Sequence, residues 1–169
     1  MNIFFLCAIA KAAAWQLCDK HIVKLCTEAA QMLCTAFRLL GDEKLANKLN
    51  FYRKTHVNHP MSVWVRSSKE NFAWALEHGL EICAAYTATY GRRHKTQDVL
   101  ERLQNNWEVL KFPQIKFTTP PQCMPEKYRS PGRCVGNVVA AYRRYYLGEK
   151  QSFAKWKSRT APSWFLQCL

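Results

Sequence analysis

Acidic residues, glycines and long apolar runs are all scarce in this sequence. Its 169 residues hold 12 Asp and Glu against 25 Lys and Arg, so the formal net charge is +13, and only six residues are glycine. Such an excess of positive charge favours a polyanionic partner, nucleic acid before a membrane surface, because no segment is both strongly basic and cleanly amphipathic. No stretch approaches the ~18–20 apolar residues of a membrane span, so the sequence predicts no membrane contact.

The cysteines lack close pairs. All eight stand apart, with no CxxC or CxxH motif from which a metal site could be built. We therefore predict no metal site, no cofactor and no disulfide framework, and we expect the cysteines on apolar helix faces to act as small apolar side chains. The positions are Cys7, Cys18, Cys26, Cys34, Cys83, Cys123, Cys134 and Cys168.

The start of the chain lacks the features of a secretory signal. Met1 to Ala14 is apolar but short, contains Lys11 and follows no basic segment. Together with the unpaired cysteines, this favours a reducing compartment, the cytoplasm or the nucleus. The length and the 49% apolar content predict one folded domain over residues 1–169, which we expect to be a monomer.

What the sequence does contain is helical periodicity. Between Cys18 and Leu40 the apolar residues recur at three- and four-residue spacing, which predicts an amphipathic helix. Asp19 is the predicted N-cap of this helix and Gly41 its stop. The predicted buried stripe consists of Ile22, Leu25, Cys26, Ala29, Leu33, Ala36 and Leu40.

Three more helices follow from similar patterns. The sequence predicts a second long helix from Pro60 to Tyr90, a third from Val99 to Leu110, and a fourth from Gly136 to Leu147 that ends at Gly148. The chain start, Asn2 to Cys7, is either a short strand or an extended arm. The predicted fold is mostly α: a single compact helical domain with two long antiparallel helices and a basic, aromatic C-terminal segment.

A polar stripe runs beside the buried stripe of the central helix. His21, Lys24, Glu28 and Gln31 are spaced so that they fall on one face within roughly three turns. A base, a cation, a carboxylate and an amide together are typical of a helix that faces a cleft. The alternative is a solvated face on which Lys24 and Glu28 form an ordinary i, i+4 pair.

The C-terminal third carries the clearest nucleic-acid pattern. From Lys127 to Arg159 nine cations stand against the single acid Glu149, and aromatic residues are interleaved with them. Cations neutralise phosphates, and aromatic rings stack on exposed bases. The candidate nucleic-acid residues here are Arg143, Arg144, Tyr145, Lys155 and Trp156, while Tyr142 and Tyr146 are either part of this surface or core residues.

Two further segments supply candidate nucleic-acid residues. The predicted loop before Pro60 contains His56, Asn58 and His59, which are ligands, proton carriers or loop anchors. Arg92 and Arg93 follow the end of the second long helix, where cations are also favourable for the helix dipole.

The central helix carries a resemblance to a known family. Asp19-x-His21 followed by Glu28 resembles the endonuclease V-type pyrimidine-dimer DNA glycosylases, small basic all-α enzymes whose first long helix bears an Asp-x-His and a catalytic Glu seven residues after the His. His59 resembles the family's His before its second long helix. The run from Tyr142 to Gly148 is similar to the family's aromatic and basic C-terminal run. Cys-Asp-Lys-His and Asn-His-Pro also resemble stretches of virus-encoded proteins.

The resemblance implies a DNA glycosylase, with or without abasic-site lyase activity, that acts on a damaged or modified base in double-stranded DNA. In such enzymes a terminal amine attacks C1′ of the nucleoside and forms a Schiff base. The resemblance assigns to Glu28 the stabilisation of positive charge on the sugar and the transfer of protons. It assigns to His21, His59 and Arg66 the holding of phosphates or of the opened duplex.

The identity of the nucleophile stays open at this point. In the family, removal of Met exposes the amine of a small residue, but Met1 before Asn2 is a poor substrate for that removal, so the amine is expected on Met1 rather than on Asn2. Lys24, one turn from Glu28, is the substitute nucleophile. Two other functions remain: a non-catalytic nucleic-acid-binding protein, and a small enzyme that acts on a phosphorylated nucleotide or metabolite.

Overall fold

Eight α-helices make up most of the chain in the computed structural model, which describes residues 1–167. Over those residues the fold is all helical, with 59% helix and no strand, which confirms the predicted class. Cys168 lies outside the described residues. The helices are α1 (Ala10–Trp15), α2 (Asp19–Leu40), α3 (Glu43–Lys48), α4 (Pro60–Ser67), α5 (Lys69–Tyr90), α6 (Gln97–Gln104), α7 (Val135–Lys150) and α8 (Ser163–Leu166), and short 3-10 turns lie at Trp107–Val109 and Glu126–Tyr128.

The two longest helices, α2 and α5, pack against each other in opposite directions. Tyr90 at the end of α5 donates a hydrogen bond to the carbonyl of Asp19 at the start of α2, at 3.4 Å. Further along, Gly79 of α5 lies so close to Ala29 of α2 that a Cβ at position 79 would be 3.2 Å from the Ala29 Cβ. Residue numbers therefore fall along α5 as they rise along α2, which confirms the predicted antiparallel pair.

The start of α2 differs from the prediction by one residue. Cys18 is the N-cap, and its side chain makes no cap hydrogen bond. Asp19 is the first helical residue, and its carboxylate bonds instead to the backbone N–H of Lys157 and to the guanidinium of Arg159. The C-terminal segment therefore occupies the carboxylate that the sequence assigned to capping.

The predicted second long helix is wrong in one respect, because it breaks at Ser68. This residue is extended, with φ −149° and ψ 158°, and its hydroxyl accepts the Asn71 N–H as the N-cap of α5. The N–H groups of the next two residues, Lys69 and Glu70, bond to the carbonyls of Gln114 and Ile115. The first three N–H groups of α5 therefore have hydrogen-bond acceptors, which allows a new helix to begin where the chain turns after α4.

The third and fourth predicted helices also have different bounds. α6 ends at Gln104, and only a 3-10 turn lies beyond it, so the prediction of a helix to Leu110 is wrong. α7 continues through Gly148 to Lys150, so Gly148 does not end it. Gly148 is required there for space, because an added Cβ would clash with the Tyr128 side chain.

The chain start is an extended arm that runs through the core. Ile3, Phe4, Phe5 and Leu6 are each at most 6% exposed, and Phe4 stacks on the His21 ring with the centroids 4.6 Å apart. This arm forms no strand within the part of the chain that the structure describes. Its burial fixes the position of Met1 and Asn2 against α2.

The apolar prediction for α2 agrees with the structure. Every residue of the predicted stripe is buried except Leu40, which is half-buried. The seven cysteines within residues 1–167 are free thiols, and Cys26 and Cys34 are buried as expected. Among the described residues, none of the helices combines the length and the hydropathy that crossing a bilayer requires.

Candidate active site

Glu28 of α2 lies against the beginning of the chain. Its Oε2 atom accepts a hydrogen bond from the Asn2 backbone N–H at 3.0 Å and lies 3.7 Å from the Met1 amine nitrogen. The Glu28 side chain is 12% exposed and the Met1 side chain 2% exposed. The Glu28 carboxylate is thus a largely enclosed group beside the amine, and charges interact more strongly in such a position than in bulk water.

Lys24 occupies the other oxygen of the same carboxylate. Its Nζ lies 3.1 Å from Glu28 Oε1, as expected for an i, i+4 pair. The Lys24 side chain is 67% exposed, so its ammonium is largely in water. Glu28 is therefore shared by two amines, one on the exposed Lys24 side chain and one at the chain start beside the buried Met1 side chain.

Tyr142 of α7 holds the chain start in place. Its hydroxyl donates toward Oδ1 of Asn2 and the carbonyl of Pro121, at 3.2 and 3.1 Å, and accepts the Cys123 N–H at 3.1 Å. The Asn2 amide also donates to the Cys123 carbonyl at 2.9 Å. The Tyr142 side chain is fully buried. One hydroxyl therefore links α7, the loop at 121–123 and the residue next to the amine.

His59 stands on the other side of the amine. It is the N-cap of α4, and its Nδ1 accepts the Met61 N–H at 3.2 Å. Burial lowers the pKa of His59, the positive charges of the chain-start amine and of His56 lower it further, and Glu28 acts in the opposite direction. His59 therefore lies close enough to the chain-start amine, to His56 and to Glu28 for their charges to act on its imidazole.

An open depression of about 460 Å³ lies next to this group. Its lining residues are His59, Pro60, Pro121, Gln122, Cys123, Met124 and Arg129. Burial raises the pKa of the Cys123 thiol, while the Tyr142 hydroxyl, the Arg129 charge and the chain-start amine act to lower it. His59 and Cys123 therefore both line the depression, and the positive charge of the amine lowers the pKa of each. The exposed Arg129 supplies a cation at the edge of the depression.

The other residues of the predicted loop divide into anchors and surface groups. Arg66 donates to the carbonyl of Val57 at 2.6 Å and so fixes the loop before α4. His56 and Asn58 are exposed, and His56 has a positive φ of 47° with its Nδ1 bonded to the Thr55 hydroxyl. His56 and Asn58 are thus available to a partner on the same side as His59.

His21 is buried and does not lie on the accessible polar face that the sequence predicts. It is 8% exposed, and its Nδ1 lies 2.7 Å from the Tyr146 hydroxyl. Burial, followed by the charges of Lys150, Lys24 and Lys20, lowers the pKa of His21 to about 4. The predicted cleft face therefore begins one turn later, because Phe4 and Phe153 enclose the first turn of α2.

The basic C-terminal candidates also differ in their surroundings. Arg143 donates to the Leu6 carbonyl and lies over the Trp164 ring, whereas the exposed Arg144 reaches the Tyr128 carbonyl and the Ser130 hydroxyl. Lys155 is exposed. Tyr145 and Trp156 are half-buried, with Tyr145 stacked on Phe4 and Trp156 packed on Phe165.

Arg92 and Arg93 lie at the end of α5, in a separate part of the structure. Arg92 donates to the Tyr86 hydroxyl at 3.1 Å, and Arg93 pairs with Asp98 and Glu101. Tyr142 and Tyr146 are core residues, each 0% exposed, which decides the alternative that the sequence left open.

Sequence reasoning did not place Cys123, Arg129 and Tyr142 beside Glu28. The proline-rich segment around Cys123 predicts only an irregular crossing, and Arg129 and Tyr142 belong to the basic, aromatic C-terminal third of the chain. Comparisons with known protein families, with curated proteins and with solved structures find no match to this chain. The arrangement itself can accept a proton from an amine at Glu28 and can hold an anionic group at Arg129.

Proposed function

We propose that this chain is a DNA-repair-type glycosylase with abasic-site lyase activity, acting on a damaged or modified base in duplex DNA. The observation that carries the proposal is the enclosed Glu28 carboxylate, 3.7 Å from the Met1 amine. A nucleophilic amine needs a base to take its proton, and a sugar that loses its base needs a nearby anion. Glu28 is placed to serve both purposes.

The reaction follows from these two groups. The amine nitrogen gives its lone pair to C1′ of the damaged nucleoside, and the bond from C1′ to the base breaks with its electron pair on the base. Glu28 stabilises the positive charge on the sugar, accepts a proton from the amine and passes it to the departing base. The nitrogen then forms a double bond to C1′ as the bond from C1′ to the ring oxygen breaks, and the ring oxygen takes a proton from water. Loss of a proton from C2′ to the solvent expels the 3′ phosphate by β-elimination and cleaves the strand.

Met1 is a better nucleophile candidate than Lys24. The chain start is held against Glu28, because the Asn2 backbone N–H donates to Oε2 of Glu28 and the Asn2 side-chain amide donates to the Cys123 carbonyl. Lysines that act as nucleophiles are usually desolvated, and the Lys24 side chain is 67% exposed. In this proposal Lys24 contributes positive charge near a phosphate and holds Glu28 through its Oε1 atom.

The charge distribution supports duplex DNA as the substrate. The chain has a formal net charge of +13, and Arg129 and Arg144 lie around the loop that borders the depression. The exposed His56 and Asn58 are near the same edge. Cations in this arrangement would hold phosphates on either side of an extruded nucleotide, at the usual energetic cost of unstacking it.

The proposal is tested with a duplex that carries one abasic site and a matched duplex that carries none. We expect strand scission only at the abasic site, and binding of both duplexes that weakens steeply as the salt concentration rises. Binding of both duplexes without scission would contradict the lyase proposal and leave a nucleic-acid-binding protein or a glycosylase that uses water. If the protein neither binds nor cleaves either duplex, DNA is not its substrate. That result would favour the alternative of a small enzyme that acts on a phosphorylated nucleotide or metabolite.

A further inference from the structure

A second group of reactive side chains lies where α2 and α5 meet the turn after α5. Cys26 of α2, Cys83 of α5 and His94 each offer a ligand atom, and these atoms all lie within 4.8 Å of one another. Cys26 and Cys83 are 0% exposed, and His94 is half-buried. The three residues are far apart in sequence, so the search for close cysteine pairs could not detect them.

We propose that Cys26, Cys83 and His94 bind a zinc ion, with a water molecule as the fourth ligand. Two thiolates and an imidazole are a common zinc donor set, and two thiolates neutralise the charge of Zn²⁺. Charge neutrality matters here because a net charge buried between two helices would be costly. Three protein ligands with one open position are typical of zinc sites that keep a water molecule.

The three ligand atoms need to move only slightly closer together to bind zinc. Zinc–sulfur bonds of ~2.3 Å and zinc–nitrogen bonds of ~2.0 Å in a tetrahedron place the ligand atoms about 3.4–3.8 Å apart. The longest separation in the group is at most 4.8 Å, so the ligands move together by about 1 Å at most. Side-chain rotation of the cysteines supplies such a movement without a shift of either helix.

The ring of His94 is already oriented by the backbone. Its Nδ1 accepts the Thr96 backbone N–H at 3.2 Å. A backbone contact of this kind holds the plane of the ring, as the outer contacts of metal-bound histidines do. In this orientation one ring nitrogen lies within 4.8 Å of both sulfur atoms.

Solvent reaches the group from one side. An open depression of about 450 Å³ is lined by His94 together with Thr27, Tyr86 and Thr96. It gives zinc an entry path and provides the water for the fourth position. The cations around its rim, Arg92 and Lys95, favour the exchange of an anionic ligand for that water.

The proposal is tested on the full chain, kept reduced and stripped of metal with a chelator, by titration with Co²⁺ and then with Zn²⁺. We expect one Co²⁺ per chain, with a thiolate-to-cobalt charge-transfer absorption that Zn²⁺ abolishes. Zn²⁺ at about 100 times its dissociation constant should raise Tm by about 5–10 °C. These readouts do not depend on any activity toward DNA.

Three variants decide which residues bind the metal. Cys83→Ala and His94→Gln should each weaken binding at least 10-fold and reduce the Tm increase, and the half-buried His94 gives a variant that is expected to fold. Cys34→Ala is the matched control, because Cys34 is equally buried on α2. Absence of charge-transfer absorption in the wild-type chain, or unchanged binding in His94→Gln, would overturn the proposal.

Discussion

Two carboxylates on α2, Asp19 and Glu28, have opposite surroundings. Asp19 is bonded to the guanidinium of Arg159 and to the Lys157 N–H, and the two side chains of the ion pair are 9% and 5% exposed. Glu28 meets amines that belong to the chain start and to an exposed lysine. Asp19 is fully occupied by the protein's own groups, whereas Glu28 lies near an open depression.

The difference indicates which of the two can take part in chemistry. Arg159 also donates to the carbonyls of Trp15 and Leu17, so its pair with Asp19 closes the C-terminal segment over the start of α2. That arrangement ties the Asp19 carboxylate to two groups of the C-terminal segment. Under the proposed function the partners of Glu28 include the reacting amine, so the two carboxylates would separate stability from function along one helix.

Among substitutions at the two carboxylates, we expect Glu28→Gln to have the largest effect, which is a loss of turnover. Loss of the proton acceptor and of the negative charge should reduce abasic-site scission at least about 100-fold. Binding of the same duplex should change by less than about threefold, because the loss is confined to the transition state. Single-turnover scission and binding are measured on the same preparation.

Glu77→Gln is the control for this experiment, because Glu77 is exposed on α5. It should retain the wild-type scission rate. Equal scission by wild type and Glu28→Gln would contradict the role assigned to this carboxylate.

Asp19→Asn should lower the free energy of unfolding and leave the rate of abasic-site scission unchanged. Breaking a buried ion pair costs about 3–5 kcal/mol, and we expect about 3 kcal/mol because the amide oxygen can still accept from Arg159. Urea denaturation measures this loss. Asp98→Asn, which breaks an exposed pair with Arg93, is the control and should leave the urea midpoint nearly unchanged. A loss of scission in folded Asp19→Asn would remove the distinction between the two carboxylates.

His21, between the two carboxylates, gives a pH-dependent effect on stability. Its pKa is lowered from 6.5 to about 4, so between these values the unfolded chain binds more protons than the folded chain. Its contribution, about 3 kcal/mol, is complete above pH 6.5 and is lost as the pH falls to about 4. Burial also lowers the pKa of His78, to about 3, and acts in the same direction.

His21→Gln isolates this contribution, because the acid sensitivity of His78 and the carboxylates is common to both proteins. The free energy of unfolding should fall less between pH 7 and about pH 4.5 in the variant than in wild type. Parallel pH profiles for the two proteins would show that His21 is not the source of the effect.

The smallest expected effect comes from the hydroxyl that positions the chain start. Tyr142→Phe removes the partner of the Cys123 N–H and of Asn2, which should lower stability by about 2 kcal/mol and slow scission roughly 10-fold. Tyr146→Phe, on the same helix and equally buried, is the control and bonds to Cys18 instead. It should lose similar stability and keep the scission rate, whereas equal rates in both variants would exclude a positioning role for Tyr142.

Local patterns accounted for much of the fold but little of the site beyond α2. The bounds of α2 and the antiparallel pair followed from apolar periodicity, whereas the break at Ser68 depends on carbonyls at 114 and 115 that no local pattern reveals. Lys24 and Glu28 could be paired from spacing alone. The burial of His21 and the approach of Cys123 and Tyr142 to Asn2 depend on how distant segments close over α2.

Borohydride trapping on a duplex with an abasic site tests the central claim that Glu28 serves the amine of the chain start. The chain is first checked by mass to begin at Met1 with a free amine, and the cross-linked residue is then mapped. We predict an adduct on Met1 that persists in Lys24→Met and is strongly reduced in Glu28→Gln. An adduct on Lys24, or none from a protein that still binds the duplex, would contradict the claim.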